Sequence, residues 1–501
     1  MKRKILFLIG LLVWLGDPVM AQRVLSLDSC RAMALRGNKQ LASARLSRDV
    51  ANDVKKAART KYLPKVDALG GYSYMSKEVS ILNDDQKSSL SNLGTNAVTG
   101  LSGSPMGTQL ATILSGLGLN PTTVLPALAA SMNQVGQDVS DAFRTDTRSM
   151  WAGTVQVRQP LYMGGAIRAA NRMAGIGQTI ADTRLDLQTQ EILYDIDKAY
   201  WLVVSLRQKQ RLAESYRDLV ARLDEDVHKM IGEGVATRAD GLKVDVKVNE
   251  AEMQITQVEN GLSLSRMLLC QLCGMPLETE FTLEDEAPEG ELTMDRSDLP
   301  LGLSKNRQLS IESSEVALRP ELKLLESAVD MSRQAEKLAL SAYLPHVGAV
   351  GGYSFSNPNV FNGFEQKVAG FWNVGVMVHV PVWNWMEGKF KVRAARAATS
   401  IARLTLDETR EKIDLQVAQS RFKVIEADKR LVRARKNIES ADENLRCANA
   451  GFHEGVMDAT TVMQAQTAWQ QAQTQRIDAE IDLRMAQVTL RKALGTLGGE
   501  D

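Results

Sequence analysis

Apolar and polar positions alternate with a period of two in four short blocks of the chain. Elsewhere the apolar positions recur at helical spacing. In 151–158, Trp151, Gly153, Val155 and Val157 alternate with Ala152, Thr154, Gln156 and Arg158. In 372–382 the apolar set is Trp372, Val374, Val376, Val378, Val380 and Val382. Val66, Ala68, Gly70, Tyr72 and Tyr74 form a third set, and Val347, Ala349, Gly351, Tyr353 and Phe355 a fourth. A period of two predicts β-strands, at about 66–75, 151–160, 347–356 and 371–382. Such blocks suit tilted membrane strands of about 9–11 residues, and equally a soluble sheet with one buried face. Aromatics gather around them. Tyr72, Tyr74, Trp151, Tyr353, Phe355, Trp372 and Trp383 are candidates for a girdle at a lipid interface.

The remaining pattern is helical. Between Gly164 and about Ile231 there is no proline and charge is dense. Leu212, Tyr216, Leu219, Leu223, Val227 and Met230 step by three and four. Leu431, Ile438, Leu445 and Phe452 recur every seven residues, with Ala434, Ala441 and Ala448 three places after the first three. One small position per heptad is a coiled-coil seam that lets partner helices approach closely. After tips at 232–240 and 451–461 the helical pattern resumes, to about Cys273 and Leu494. Two long antiparallel hairpins are predicted, at 164–273 and 387–497.

The chain repeats itself. Tyr62-Leu63-Pro64-Lys65-Val66 returns as Tyr343-Leu344-Pro345-His346-Val347, and Gly70-Gly71-Tyr72-Ser73-Tyr74 as Gly351-Gly352-Tyr353-Ser354-Phe355. Trp151, Pro160, Glu233-Gly234-Val235 and Gly274 return at Trp372, Pro381, Glu454-Gly455-Val456 and Gly495, all 221 positions on. Ordered matches at two offsets imply duplicated architecture. The first structural repeat is placed at 22–275 and the second at 311–501. A proline-bearing linker, 276–310, joins them. The first repeat carries an insertion, 76–150, in which Ser88 to Gln137 holds no Asp, Glu, Lys or Arg. Its Gly, Pro and polar breaks exclude a spanning helix, and it is read as an extracellular loop.

Lys2, Arg3 and Lys4 precede an apolar run from Ile5 to Leu15, and Val19-Met20-Ala21 fits a small-residue cleavage site. Residues 1–21 are therefore read as a secretory signal. No later window has 18 uninterrupted apolar residues, so an exported protein held in a membrane would be held by strands. Four strands cannot close a barrel, and an open edge in lipid leaves backbone groups unsatisfied. Membrane strands would therefore require several protomers to share one barrel.

Charge and chemistry narrow the picture further. Sixty basic residues balance sixty acidic ones, which argues against nucleic acid as a partner. Four cysteines in 501 residues exclude a disulfide scaffold. His228, His346, His379 and His453 are scattered, and Cys270-x-x-Cys273 sits in an apolar helical run without further ligands. No catalytic residue, metal site or cofactor is indicated, and the protein is not expected to be an enzyme. The competing reading is an exported coiled-coil structural or adhesion protein with a small soluble sheet.

The doubled Tyr-Leu-Pro-x-Val and Gly-Gly-Tyr-Ser blocks, together with Gln159-Pro160-Leu161-Tyr162-Met163-Gly164-Gly165, resemble the TolC family of outer-membrane efflux channels. The tip Gly232-Glu233-Gly234-Val235-Ala236-Thr237-Arg238-Ala239-Asp240 is also similar to that family's. The resemblance spans nearly all of the mature chain. It implies a mainly α protein with a membrane β-barrel. Hairpins form a periplasmic tunnel, and four strands per protomer enter the shared twelve-stranded barrel of a homotrimer. It further implies an outer-membrane location with contact to lipid, a periplasmic adaptor, and an inner-membrane transporter that supplies the energy. On this reading the adaptor docks at Gly234, Val235, Ala236, Thr237, Arg238, Gly455, Val456, Met457 and Asp458. The family's acidic residues at the periplasmic entrance fall here on Thr461 and Gln464, both uncharged. The repeat maps these onto Asp240 and Lys243, so the constriction charge is expected on the first hairpin.

Overall fold

The computed structural model describes residues 23–76, 82–143, 148–286, 319–359 and 366–498. The expected signal, 1–21, and most of the expected linker, from 287 onward, lie outside them. The chain divides into two units, one built of residues 1–57, 169–339 and 389–501 and the other of 58–168 and 340–388.

The first unit is helical. It holds strand β1 (Arg23–Leu25), helices α1 (Leu27–Gly37) and α2 (Lys39–Arg59), and the long helices α7 (Ala166–Gly232) and α8 (Arg238–Cys273). Strand β4 (Phe281–Leu283), helix α9 (Pro320–Ser341), and helices α10 (Glu387–His453) and α11 (Ala459–Leu494) follow. The duplication is exact in length: α7 and α10 each have 67 residues, α8 and α11 each 36. Of the seam read from the heptads, Leu445, Ala448 and Phe452 are buried where the two hairpins meet, while Ile438 and Ala441 are half-buried. Tyr216, Val220, Leu223 and Val227 of α7 pack with Val244 of α8, Leu445, Ala448 and Phe452 of α10, and Val462 and Met463 of α11. Burying each such Val or Leu is worth about 1.5–3 kcal/mol, which holds these helices together without any enclosed globular core.

A second core lies where α1 meets α7 and the end of α8. It contains Cys30, Ala34, Leu41, Ile192, Ile196, Tyr200, Val203, Leu269, Cys270 and Cys273. β1 pairs in parallel with β4 beside it. Asp197 is fully buried here and is held by Arg31, whose Nε and Nη2 donate at 2.8 and 2.6 Å. The sequence pattern predicted neither α1 and α2 nor α9.

The second unit is built on one sheet. β2 (Lys65–Tyr74), β3 (Ser149–Met163), β5 (His346–Asn357) and β6 (Ala369–His379) lie antiparallel in the order β2-β3-β5-β6. Both repeats thus contribute a strand pair, and β3 and β5 join them. Pro160 sits at a register shift between β3 and β5, where a missing N–H breaks no ladder bond.

The insertion is not a loop. It folds as helices α3 (Asp84–Ser91), α4 (Leu93–Ser102), α5 (Pro105–Gly116) and α6 (Pro121–Ala142). Three of the four starts have a side-chain cap. Asn83 and Gln86 close a capping box on α3. The Ser104 and Asn120 side chains cap α5 and α6, with Pro105 and Pro121 in the first turn. Gly94 and Gly136 let backbones cross: a Cβ at either would lie 2.1 Å from the Ala129 oxygen or 1.9 Å from the Leu90 oxygen. No single helix among the described residues is long and apolar enough to cross a membrane. Only α5 with α6, bent by 115°, reaches that hydropathy as a pair.

Candidate functional site

The sheet has two chemically different faces. The register sets Val66 opposite Val157, Ala68 opposite Val155 and Tyr72 opposite Trp151. Across β3 and β5 it sets Gly153 opposite Phe355 and Val155 opposite Tyr353. Gly351 faces Val374, and Tyr353 faces Trp372. One face is therefore continuously apolar over all four strands, yet Val66, Val374 and Val376 are each about two-thirds exposed or more. The other face carries Asp67 with Arg158 as an ion pair, Thr154 with Ser354 at 3.0 Å, Gln156, Asn373 and the His346–His379 pair. Exposed apolar side chains on one face and hydrated groups on the other are what a barrel wall between lipid and water needs.

The aromatics fall at both ends of the strands rather than one. Tyr72, Tyr74, Trp151, Tyr353, Phe355 and Trp372 share the end where β2 and β5 finish, and Trp151 and Phe355 meet edge to face at 5.9 Å. Trp383 follows the far end of β6. It stacks edge to face on Trp385 at 5.8 Å, at the strand ends shared with exposed Tyr162. The sequence reading placed all seven in one group without resolving the two ends. Among the described residues, β2 and β6 each have a strand neighbour on one side only.

The hairpin tips are built by matching devices. Gly234 (φ 78°) and Gly455 (φ 74°) take the left-handed conformation that reverses the chain. Val235 N–H donates to the Met230 oxygen at 2.9 Å, and Val456 N–H to the Gly451 oxygen at 2.8 Å. Val235 (72%) and Val456 (80%) are left largely exposed, and Met457 is less so. Thr237 caps α8 and Asp458 caps α11. Arg238 opens α8 and Ala236 precedes the cap.

The expected entrance residues sit just past these caps. Asp240 closes a capping box with Thr237, whose hydroxyl donates to its Oδ2 at 2.6 Å, and Lys243 Nζ donates to its Oδ1 at 3.0 Å. The Thr237 hydroxyl first, then Lys243, hold the Asp240 carboxyl below the usual carboxylate range. On the second hairpin, Thr461 donates its N–H and hydroxyl to Asp458 at 2.9 and 2.5 Å, while Gln464 is exposed. Those Thr461 bonds, with a smaller pull from Lys243, lower the Asp458 carboxyl as well. Lys243 therefore pairs with the Asp240 cap and exerts a weaker attraction on the Asp458 cap. Asp458 was assigned to docking, and its part in this charge cluster was missed; its capping position, three before Thr461, was the available signal.

One group of metal-type ligands occurs among the described residues: Asp224 and His228 on α7 with Asp245 on α8, one atom of each within 4.8 Å of the others. His228 is solvent-exposed, and its Nδ1 lies 3.3 Å from Asp224 Oδ1 and 3.0 Å from the Asp224 carbonyl. That is a contact within one turn of α7, with Asp245 of α8 beside it. Cys270 and Cys273 are buried, as expected of a helical apolar run, but Cys273 faces Cys30 rather than Cys270.

An amphipathic sheet with two open edges in one unit, and paired helical hairpins of equal length in the other, are what a subunit of a membrane channel wall needs. Comparison with known proteins agrees. The outer membrane efflux protein family model matches residues 117–275 and 313–496. The alkaline protease secretion protein AprF of Pseudomonas aeruginosa is 24% identical over 76% of this chain and 79% of its own length. Outer membrane protein TolC of Vibrio cholerae is 21% identical, over 64% and 71%. Among solved structures, CusC aligns with a TM-score of 0.69 at 12% identity, covering 93% of this chain and 91% of CusC. VceC of Vibrio cholerae gives 0.67 at 14% identity, covering 94% and 96%. The chain belongs to the outer membrane efflux protein family, the TolC-type channels. It is an outer-membrane protein whose helical part is periplasmic, and its relatives are channels rather than enzymes.

Proposed function

We propose that three copies of this chain form a passive exit duct of a tripartite efflux or type I secretion system. The observation that carries this reading is the four-stranded sheet, continuously apolar on one exposed face, with charged and hydrogen-bonding residues beside Leu69, Phe371 and Met377 on the other, and open at both edges. Three such sheets close one barrel, lipid outside and water inside, and no backbone edge is left in the bilayer. The hairpins of three protomers continue the duct into the periplasm. The alkaline protease secretion protein and the proteases secretion protein PrtF of Dickeya chrysanthemi are both secretion proteins by name. That likeness favours polypeptide cargo from an inner-membrane transporter.

The adaptor docks on the tips. Val235, Ala236, Val456 and Met457 offer small apolar contacts held rigidly by the glycine reversals and caps. Ala236→Trp and Met457→Trp should therefore abolish transport in cells while trimer yield in the outer membrane stays at wild-type level. Full transport by both variants would remove the tips from the interface.

A further inference from the structure

Three of the four cysteines lie in one core. Cys30 and Cys270 are fully buried and Cys273 is 3% exposed, whereas Cys447 is on the surface. Cys30 is on α1 and Cys273 ends α8, 243 positions apart in sequence. Cys273 Sγ donates to the Cys30 carbonyl oxygen at 3.7 Å, and each thiol shifts the other, Cys30 downward and Cys273 upward. Cys270, one helical turn back, turns its sulfur to the Thr279 carbonyl at 3.9 Å instead.

The backbone around the pair is held on both sides. Asn38, which follows α1, donates its side-chain amide to the Leu272 carbonyl at 3.2 Å. Gly274 caps α8 at φ 75°, and a Cβ there would lie 2.7 Å from the Gly37 oxygen. Two backbone segments in such contact keep the thiols from drifting apart. The pairing differs from the Cys-x-x-Cys spacing in the sequence, which suggests Cys270 with Cys273.

We propose that Cys30 and Cys273 form a structural disulfide that locks α1 to the end of the first hairpin. The periplasm is oxidising, so a vicinal thiol pair there is exposed to disulfide exchange during folding. The oxidant is a periplasmic protein disulfide. A Cys30 thiolate attacks one of its sulfurs, forms a mixed disulfide and releases the other sulfur as a thiolate. Cys273 gives up its proton and attacks the Cys30 sulfur of the mixed disulfide. The Cys30–Cys273 bond forms, and the oxidant leaves carrying both electrons and, as two thiols, both protons. Cys30 suits the first step. It sits in the opening turns of α1, and the neighbouring Cys273 draws its thiol down. Burial of all three sulfurs means that oxidation precedes closure of this core, and that the finished bond is shielded from reductant.

The test uses full-length protein from outer membranes of its own cells. Free thiols are blocked with N-ethylmaleimide in denaturant, and tryptic peptides are mapped without reduction. The expected product joins peptide 24–31 to peptide 267–296, with fragment ions placing the link on Cys273 and an alkylated Cys270. Cys270→Ser should keep the link and Cys273→Ser should lose it. Alkylation of both Cys30 and Cys273 in the wild-type chain, or fragment ions that place the link on Cys270, would overturn the proposal. The fragment assignment comes from the wild-type chain, so it stands even if a variant fails to assemble.

Discussion

Residue-scale differences between the two repeats show where matched architecture meets unmatched chemistry. Gly164 and Gly165 sit at φ 57° and 86°, and at the same offset the second repeat places Trp385 and Met386 at φ 51° and 64°. The turn geometry is kept although the residues no longer suit it. A left-handed non-glycine residue costs about 1–2 kcal/mol. Met386 is half exposed and gives up little packing, so Met386→Gly should stabilise the protein by roughly 1 kcal/mol once glycine's greater unfolded-state freedom is subtracted. A raised melting midpoint of the purified protein checks this, and an unchanged or lowered one contradicts it. Asp240 carries a different tension. Its lowered pKa means that its capping contribution is present above the unfolded value of 3.8 and is lost as pH falls through the lower folded value. Asp240→Asn should erase that acid-limb dependence while the cap persists. In a trimer the same variant removes three charges from the entrance, so single-channel recordings should show weaker cation selectivity. Wild-type selectivity would leave Asp240 as a cap only. The capping role was legible from Thr237-x-x-Asp240. The proximity of Lys243 to Asp458 was not, because it joins two hairpins that no local pattern relates.

At the scale of elements, what the sequence revealed depended on how strongly each element is patterned. The hairpins were legible because a coiled-coil seam must repeat: Leu431, Ala434, Leu445, Ala448 and Phe452 are all buried. The strands were legible from period two, though β3 runs to Met163, past the expected residue 160. α1, α2 and α9 were missed because the repeat drew attention to strand and hairpin signals. The insertion differs from the expected loop because its Gly, Pro and polar breaks, which exclude one spanning helix, instead punctuate four short ones. Ser104-Pro105 and Asn120-Pro121 were helix-start signals in plain view. These helices form a module on a hairpin that already closes: Tyr74 pairs with Ser149, and Met75 N–H donates to the Arg148 oxygen at 2.8 Å. Replacing 77–146 by a short Asn-Gly turn should therefore leave the β2–β3 register intact. Heat-modifiable oligomer should still reach the outer membrane at near wild-type yield. Loss of all oligomer would make the insertion part of barrel assembly.

For the whole molecule, the deciding feature is that one chain is incomplete. Its sheet exposes Val66, Tyr72, Trp372, Val374 and Val376 on one face and ends at β2 and β6 with a neighbour on one side only. In water such a face would aggregate. In lipid each unsatisfied backbone group along an edge costs several kcal/mol. Both penalties vanish only if the β6 edge of one copy meets the β2 edge of the next and the ring closes. Closure with four strands per copy needs at least two copies to reach about eight strands, the smallest barrel known in outer membranes. The proposed trimer would supply twelve. A monomer inserted in a bilayer should therefore have no lifetime long enough to isolate. Cross-linking of detergent extracts should give a ladder that stops at three copies, and heating should take trimer to unfolded chain with no folded monomer between. A ladder that stops at two would refute the trimer, and a folded monomer that conducts ions would refute the shared barrel. The residues to blame would then be those of the two edge strands, β2 and β6.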